Sequence, residues 1–362
     1  MEINPSERAA IKRRLLAWYR REKRDLPWRD TDNPYHVLLS EFMLQQTQVD
    51  TVIPYYRRFL RDFPTVHALA STPRDRVLKA WEGLGYYTRA RNLHRTAQYI
   101  VDRFDGAVPD AYDDLASLPG LGPYTTAAVL SIAYDRDYAV LDGNVIRVLC
   151  RLFGIQDDTR QTRTRANLQK LADNLLHRGD AGEYNQAIME LGATVCRPRA
   201  PRCGTCPVNG QCAALRADTV ESLPVRAPGK PRPHYLMGVG IVSRNDTVLI
   251  VRRPENGLLG GLWEFPSARK MVKESLGETC IRAVREATGV HAAVRNRFRT
   301  VKHAFTHFSV TMHAFQCDYE GGEARAVTCS DVKWVAPGVL GDFAFSRANR
   351  KLIEFMERAE LF

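Results

Sequence analysis

What this 362-residue sequence lacks excludes several classes at once. No charge-free apolar stretch approaches the ~20 residues that a membrane helix needs; the longest runs from Thr125 to Tyr134. The first residues, Met1 to Arg29, are studded with Arg and Lys and have no uninterrupted apolar core, which excludes a secretory signal and predicts a cytoplasmic protein. Gly (24) and Pro (19) are present in ordinary amounts, so collagen-like and low-complexity chains are excluded. Acid is the scarce charge: 41 Asp and Glu face 52 Lys and Arg. The deficit is local, with nine basic and three acidic residues over 51–100, ten and five over 251–300, and four Arg with no acid over 196–216. Such patches point to a polyanionic partner, nucleic acid first, or to an Arg-rich solvated surface.

What is present is a folded chain, 44% hydrophobic and 26% charged, whose periodicity changes along its length. Residues 7–24 and about 34–216 read as helices, with Asn33-Pro34 as a start signal and further helices at 48–61, 74–81, 89–103, 111–116, 123–134, 142–151, 163–176 and 182–192. The segment 217–234, with Pro224, Pro228, Pro231 and Pro233, has the composition of an extended linker. Beyond it, Tyr235–Val242 and Val248–Arg253 flank the turn residues Arg244-Asn245-Asp246-Thr247 and predict a hairpin. Residues 274–288 read as a helix and His307–Cys317 alternate as a strand, so the last third is a separate α+β domain.

Four of the eight cysteines form a block, Cys196, Cys203, Cys206 and Cys212, spaced C-x6-C-x2-C-x5-C. In a chain without secretory features this density indicates a metal or an iron–sulfur cluster rather than disulfides, and four thiolates suit either zinc or [4Fe–4S]. Leu118-Pro119-Gly120-Leu121-Gly122-Pro123 ends one short helix and opens another, a turn that can aim backbone N–H groups at a phosphate or simply join two helices. Two carboxylates stand out. Glu41 lies within the apolar run Tyr35–Leu44, where burial raises a carboxyl's pKa and makes it a proton reservoir; the alternative is a surface-facing Glu. Asp142, between Leu141 and Gly143, sits at a helix start, where an N-cap is the simplest role.

The hairpin, Asp142 and the cysteine block follow the order seen in the helix-hairpin-helix DNA glycosylases. Leu39–Val49 (LSEFMLQQTQV), Gly83–Tyr87 (GLGYY), Leu141–Val145 (LDGNV) and Gly257–Pro266 (GLLGGLWEFP) closely resemble the MutY family of adenine DNA glycosylases, from about residue 8 to the C-terminus. The resemblance implies a mostly α N-terminal region of two helical lobes over 1–216, with a helix-hairpin-helix at about 117–134 and a [4Fe–4S] loop at 196–212 held by the four cysteines. A NUDIX-like α+β domain would follow at 235–362. It implies a monomer acting on double-stranded DNA that carries adenine opposite 8-oxoguanine or guanine, with no membrane partner.

The same resemblance assigns roles. Glu41 would protonate the extruded adenine, Asp142 would stabilise the oxocarbenium-like sugar, Asn144 would orient the reacting groups, and Tyr124 would touch the acid or the sugar. Tyr124 stands where lyase-active relatives carry a Schiff-base Lys, which implies a monofunctional enzyme. Arg24, Leu26, Trp28, Arg29, Gln186 and Glu190 would line the adenine pocket. Gln45, Gln46 and Tyr86 would wedge into the base stack, and Gly120 and Gly122 would hold phosphate. The family's Phe-Ser-His loop reads here Phe305-Thr306-His307 and would recognise 8-oxoguanine. The pyrophosphatase box reads Arg285-Glu286-Ala287-Thr288-Gly289-Val290 without its paired glutamates, which implies a retained shape without the hydrolysis.

Overall fold

The computed structural model describes residues 3–29, 31–227, 229 and 231–358. The chain forms two compact units, one from residues 1–70 and 95–229, the other from residues 71–94 and 230–362. Fourteen α-helices are described: α1 Pro5–Glu22, α2 Pro34–Leu44, α3 Val49–Asp62, α4 Val66–Ser71, α5 Arg74–Ala80, α6 Thr88–Phe104, α7 Tyr112–Ala116, α8 Pro123–Tyr134, α9 Gly143–Phe153, α10 Thr162–Leu175, α11 Ala181–Thr194, α12 Ala213–Arg216, α13 Leu276–Thr288 and α14 Arg347–Arg358. None of the described helices is long and apolar enough to cross a membrane.

The helical unit is organised around α8. Its residues Thr125–Ser131 are buried around the whole circumference, which explains why the longest apolar run of the sequence falls here. Gly122 and Pro123 start this helix, and Asp135, in the left-handed region at φ 49°, ends it by donating to Leu130 O. Helices α2, α7 and α11 pack on α8, and α11 also packs on α1 and α9. Helix α2 starts where Asn33 accepts the Tyr35 N–H at 3.0 Å, followed by Pro34. A cap of this kind contributes about 1 kcal/mol. Residues 223–225 of the proline-rich segment are bonded to the helical unit: Leu223 O accepts from Arg151 Nε at 3.0 Å and Val225 O from Thr159 N at 3.1 Å. Pro228 lies outside the described residues.

The second unit carries a mixed sheet of β1 His234–Arg244, β2 Thr247–Arg252, β3 Trp263–Glu264, β4 Ser267–Arg269, β5 His291–Ala304, β6 Ser309–Gly321 and β7 Asp331–Val335. Its order is β3-β2-β1-β6-β5, with β4 on β1 and β7 on β2; β1 and β6 run parallel and the other pairs antiparallel. The β1–β2 turn places Asn245 and Asp246 at φ 44° and 57°, as a two-residue hairpin requires. Helix α13 packs against β1 through Cys280 and Val284, while Leu352, Ile353 and Met356 of α14 enter the apolar core on the other face. A Cβ on Gly238 would lie 2.8 Å from Leu276 O, so α13 can approach β1 only over a glycine.

Candidate active site

Helix α2 delivers Glu41 into the interior. Val37–Met43 are all buried, and Glu41 is 4% exposed with Oε2 lacking a hydrogen-bond partner. Burial pushes this carboxyl up to about 7, tempered by the nearby Tyr124 hydroxyl and reinforced by the negative charge of Asp142. Tyr124 lies within electrostatic reach of both carboxylates. Its phenol is driven well above its ordinary range by burial first, then by Glu41 and Asp142. The hydroxyl is close enough to influence Glu41, but in this geometry it donates to Met189 Sδ on α11, at 3.4 Å.

Asp142 caps α9 and takes part in the same site. One carboxylate oxygen accepts the Val145 N–H at 2.7 Å and the other accepts Asn144 Nδ2 at 2.9 Å. Burial raises its pKa, and these donors together with the charge of Arg147 oppose the rise. Arg147, itself buried, donates to Asn144 Oδ1 at 2.8 Å, Gly192 O at 2.6 Å and Cys196 O at 2.7 Å. The N-cap role read from the sequence is therefore present, and the same carboxylate is also bonded to Asn144.

A third carboxylate, Glu190 on α11, gathers the segment after α1. It receives Arg24 Nε at 2.7 Å and NH2 at 2.8 Å, the Arg24 N–H at 3.1 Å, and Arg29 NH2 at 2.7 Å. Burial would raise the Glu190 carboxyl, but the two guanidinium groups more than reverse it and hold it at about 2. Tyr19 donates to Gln186 Oε1 at 3.3 Å, and Arg29 lies over the Tyr19 ring, 5.4 Å from its centroid. Leu26 and Trp28 are buried, the latter edge-on to Tyr56 at 5.4 Å. Met189, Tyr19, Tyr56 and Arg147 carried no local signal in the sequence.

The remaining singled-out residues fall into three places. Gln45 donates to Thr125 Oγ1 at 3.2 Å and Gln46 is left-handed at φ 57°; both belong to the helical unit. Gly120, at φ 81°, and Gly122 shape the turn into α8, whose flanking Leu118 and Leu121 are buried. In the other unit, Tyr86 is 45% exposed and shares a 3.0 Å hydrogen bond with Thr306, in the loop joining β5 to β6. That loop is closed by Phe305 N donating to Phe308 O at 2.8 Å and by their rings at 4.8 Å, with His307 exposed at its turn. On α13 the residue that binds Glu286 is Arg282, at 3.0 Å, and it also binds Glu274 at 2.6 Å.

Cys196, Cys203, Cys206 and Cys212 are free thiols in the loop after α11, three of them packed on the helical core. Arg151 NH1 reaches Cys196 Sγ at 3.5 Å, and Cys212 Sγ donates to Arg151 O at 3.4 Å. Burial first, and then the other three cysteines, push the Cys206 thiol up to about 12. Among the described residues no group of three or more His, Cys, Asp or Glu meets the geometry of a metal centre. The donor set nevertheless suits a thiophilic centre, since the four cysteines lie within electrostatic reach of one another, with Glu221 acting on Cys203 at the edge of the group.

Residues 39–174 match the model of the HhH-GPD superfamily of base excision DNA repair proteins, and residues 238–355 match the NUDIX domain. The chain is similar to the adenine DNA glycosylase of Rattus norvegicus, 35% identical over 96% of this chain and 78% of that one. To the Homo sapiens enzyme of the same name it is 34% identical, over 96% and 74%. This chain belongs to the adenine DNA glycosylase family, the MutY group. Among solved structures it resembles a thermostable thymine-DNA glycosylase, with TM-score 0.54 and 28% identity over 59% of this chain and 98% of that one. As an adenine DNA glycosylase the protein acts on DNA and removes adenine in base excision repair, hydrolysing an N-glycosyl bond without a lyase step. The phenol of Tyr124 agrees with that, because it has no amine with which to form a Schiff base.

Proposed function

We propose that the substrate is adenine opposite 8-oxoguanine, and also opposite guanine, extruded from duplex DNA by a monomer before its glycosidic bond is cleaved. The observation that carries this reading is a carboxyl held at about 7 beside a carboxylate that is hydrogen-bonded in its ionised form. Glu41 donates its proton to adenine N7, which makes the base a better leaving group. Asp142, fixed by Asn144 and Val145, faces the sugar and stabilises its developing positive charge. Tyr124 spaces the two acids and excludes water. Arg24, Leu26, Trp28, Arg29, Gln186 and Glu190 form the adenine pocket, with the arginines neutralised in advance by Glu190.

Extrusion costs a few kcal/mol of stacking, which contacts to the duplex must offset. Gln45, Gln46 and Tyr86 fill the space the base leaves, and the turn at Gly120 and Gly122 presents backbone N–H groups to a phosphate. Phe305, Thr306 and His307 read the 8-oxoguanine; Thr306 keeps the family's hydroxyl and adds a methyl. Cys196, Cys203, Cys206 and Cys212 would hold a [4Fe–4S] cluster, which when bound cross-links the Arg-rich loop beside Arg147 and Arg151. Glu274 and Glu286, both bound by Arg282, are not free for phosphate hydrolysis in the C-terminal domain.

The deciding experiment is single-turnover excision on duplexes containing adenine opposite 8-oxoguanine, adenine opposite guanine, and thymine glycol. Rapid release of adenine opposite 8-oxoguanine, slower release opposite guanine, none of the pyrimidine and no borohydride-trapped adduct are expected. Efficient thymine glycol release or trapping overturns the proposal.

A further inference from the structure

Between α5 and α6 the chain adopts a conformation that it cannot hold unaided. Gly83, Gly85 and Tyr86 have φ of 93°, 79° and 49°, and for Tyr86 the left-handed region costs on the order of 1 kcal/mol. The exposed ring that results is held from below. Gly85 O accepts Trp81 Nε1 and an Arg89 guanidinium N–H, each at 3.1 Å. Tyr87 donates its hydroxyl to Phe345 O at 3.1 Å while accepting the Gly83 N–H at 3.2 Å. Glu82 Oε1 accepts both the Phe345 N–H at 2.9 Å and Arg350 Nε at 2.7 Å, and Arg350 NH2 donates to Phe343 O at 2.8 Å. Every one of these partners from Phe343 onward lies more than 250 residues along the chain, in the same compact unit. Ion pairs of Asp75 with Arg252 and of Arg74 with Glu255 attach α5 to the same unit.

We infer that Glu82 and Arg350 are positioning residues for Tyr86, so that the C-terminal residues govern base extrusion as well as the choice of lesion. The inference rests on the proposed wedge role of Tyr86. The argument is geometric: Glu82, which also pairs with Lys79 at 2.6 Å, ties the base of the wedge turn both to the 345 backbone and to α14, and the tip of the same turn meets Thr306. A carboxylate accepting from an arginine and a backbone N–H is a strong, directional tie. Its loss would leave the left-handed turn free to relax, withdrawing the ring from the position that fills the vacated stack. Thr306 and Arg350 therefore act on the same ring with different consequences: the first only where a lesion is read, the second opposite any partner base.

The test uses the full-length protein and duplexes with 2-aminopurine at the target position, whose fluorescence reports extrusion, alongside single-turnover adenine excision at saturating enzyme. Arg350→Ala is expected to lower both the extrusion signal and the excision rate about tenfold opposite 8-oxoguanine and guanine alike, the scale of one lost charged hydrogen bond. Arg350→Lys should recover part of the loss. Thr306→Ala should act chiefly opposite 8-oxoguanine. In a Tyr86→Ala background, Arg350→Ala should add less than twofold, because both changes act through one ring. Tyr87→Phe, which removes one hydroxyl and keeps the ring, should give the same pattern at about a third of the size and carries the test if Arg350→Ala does not fold. Full extrusion and excision by a folded Arg350→Ala or Tyr87→Phe protein overturns the inference, as does an undiminished loss in the Tyr86→Ala background. Failure of the wild-type protein to excise adenine at all would instead count against the proposed function.

Discussion

Glu41 and Glu190 are both glutamates on helices of the same unit, 4% and 1% exposed, yet their ionisation is set in opposite directions. Glu190 meets two guanidinium groups and is held at about 2, whereas Glu41 is pushed up to about 7 by burial and then by the charge of Asp142, against the lowering effect of the Tyr124 hydroxyl. Burial raises both carboxyls; at Glu41 nothing outweighs it, whereas at Glu190 the two guanidinium groups more than reverse it. At Glu190 the buried charge ties Arg24 and Arg29 to α11. At Glu41 such partners are withheld, so that a proton is available near neutrality. An uncharged acid beside an ionised one is the arrangement that N-glycosidic cleavage needs.

The contrast can be broken in several ways, from the largest effect downward. Glu41→Gln keeps the volume and removes the proton, so single-turnover excision should fall by about 10³-fold or more while duplex affinity is retained. A variant that binds and still releases adenine at the original rate would remove Glu41 from the chemistry. Glu190→Gln leaves Arg29, which is almost fully buried, without its counter-charge, and should cost about 3 kcal/mol in a chemical-denaturation series at pH 7. The same change should erase a stability limb: because the folded carboxyl titrates lower than the free one, its contribution is complete above pH 4.5 and is lost as pH falls toward 2. Glu41 carries the opposite sign. Its folded pKa is raised, so stability is fullest below pH 4.5 and declines by up to about 3 kcal/mol as pH rises through 7. Glu41→Gln should flatten that decline and yield a protein more stable than the parent at pH 8. Smallest of all, Asp142→Asn should cost at most about 1 kcal/mol of stability, since asparagine caps a helix nearly as well, while lowering excision far more than that loss explains.

The burial of Glu41 and the cap at Asp142 were more legible in the sequence than the tertiary framework. Glu41 stood out because a charged residue among Phe42, Met43 and Leu44 has few places to go, and Asp142 because it precedes an apolar helix with a Gly at its start. Helix α8 was read with its bounds because its caps and its apolar run coincide. Strand β5 gave no usable signal: as an edge strand it is exposed over most of its length, and Arg295, Arg297, Arg299 and Lys302 obscure a period of two. Helix α14 was missed for a related reason, its apolar positions being separated by Arg, Lys and Glu. Nor could local pattern show that residues 71–94 share a compact unit with residues 230–362, because Glu82 finds Arg350 across 268 positions. Tyr86 was visible in its motif, but the groups that hold it were not.

The most direct test is the ionisation of Glu41 itself, followed by isotope-edited infrared spectroscopy of the free protein with Glu41→Gln as the reference. A protonated carboxyl band that is present at pH 5, disappears with a midpoint near pH 7 and is missing from the variant is the expected result. A band that is already gone by pH 5, leaving a residue ionised across the neutral range, would contradict the account.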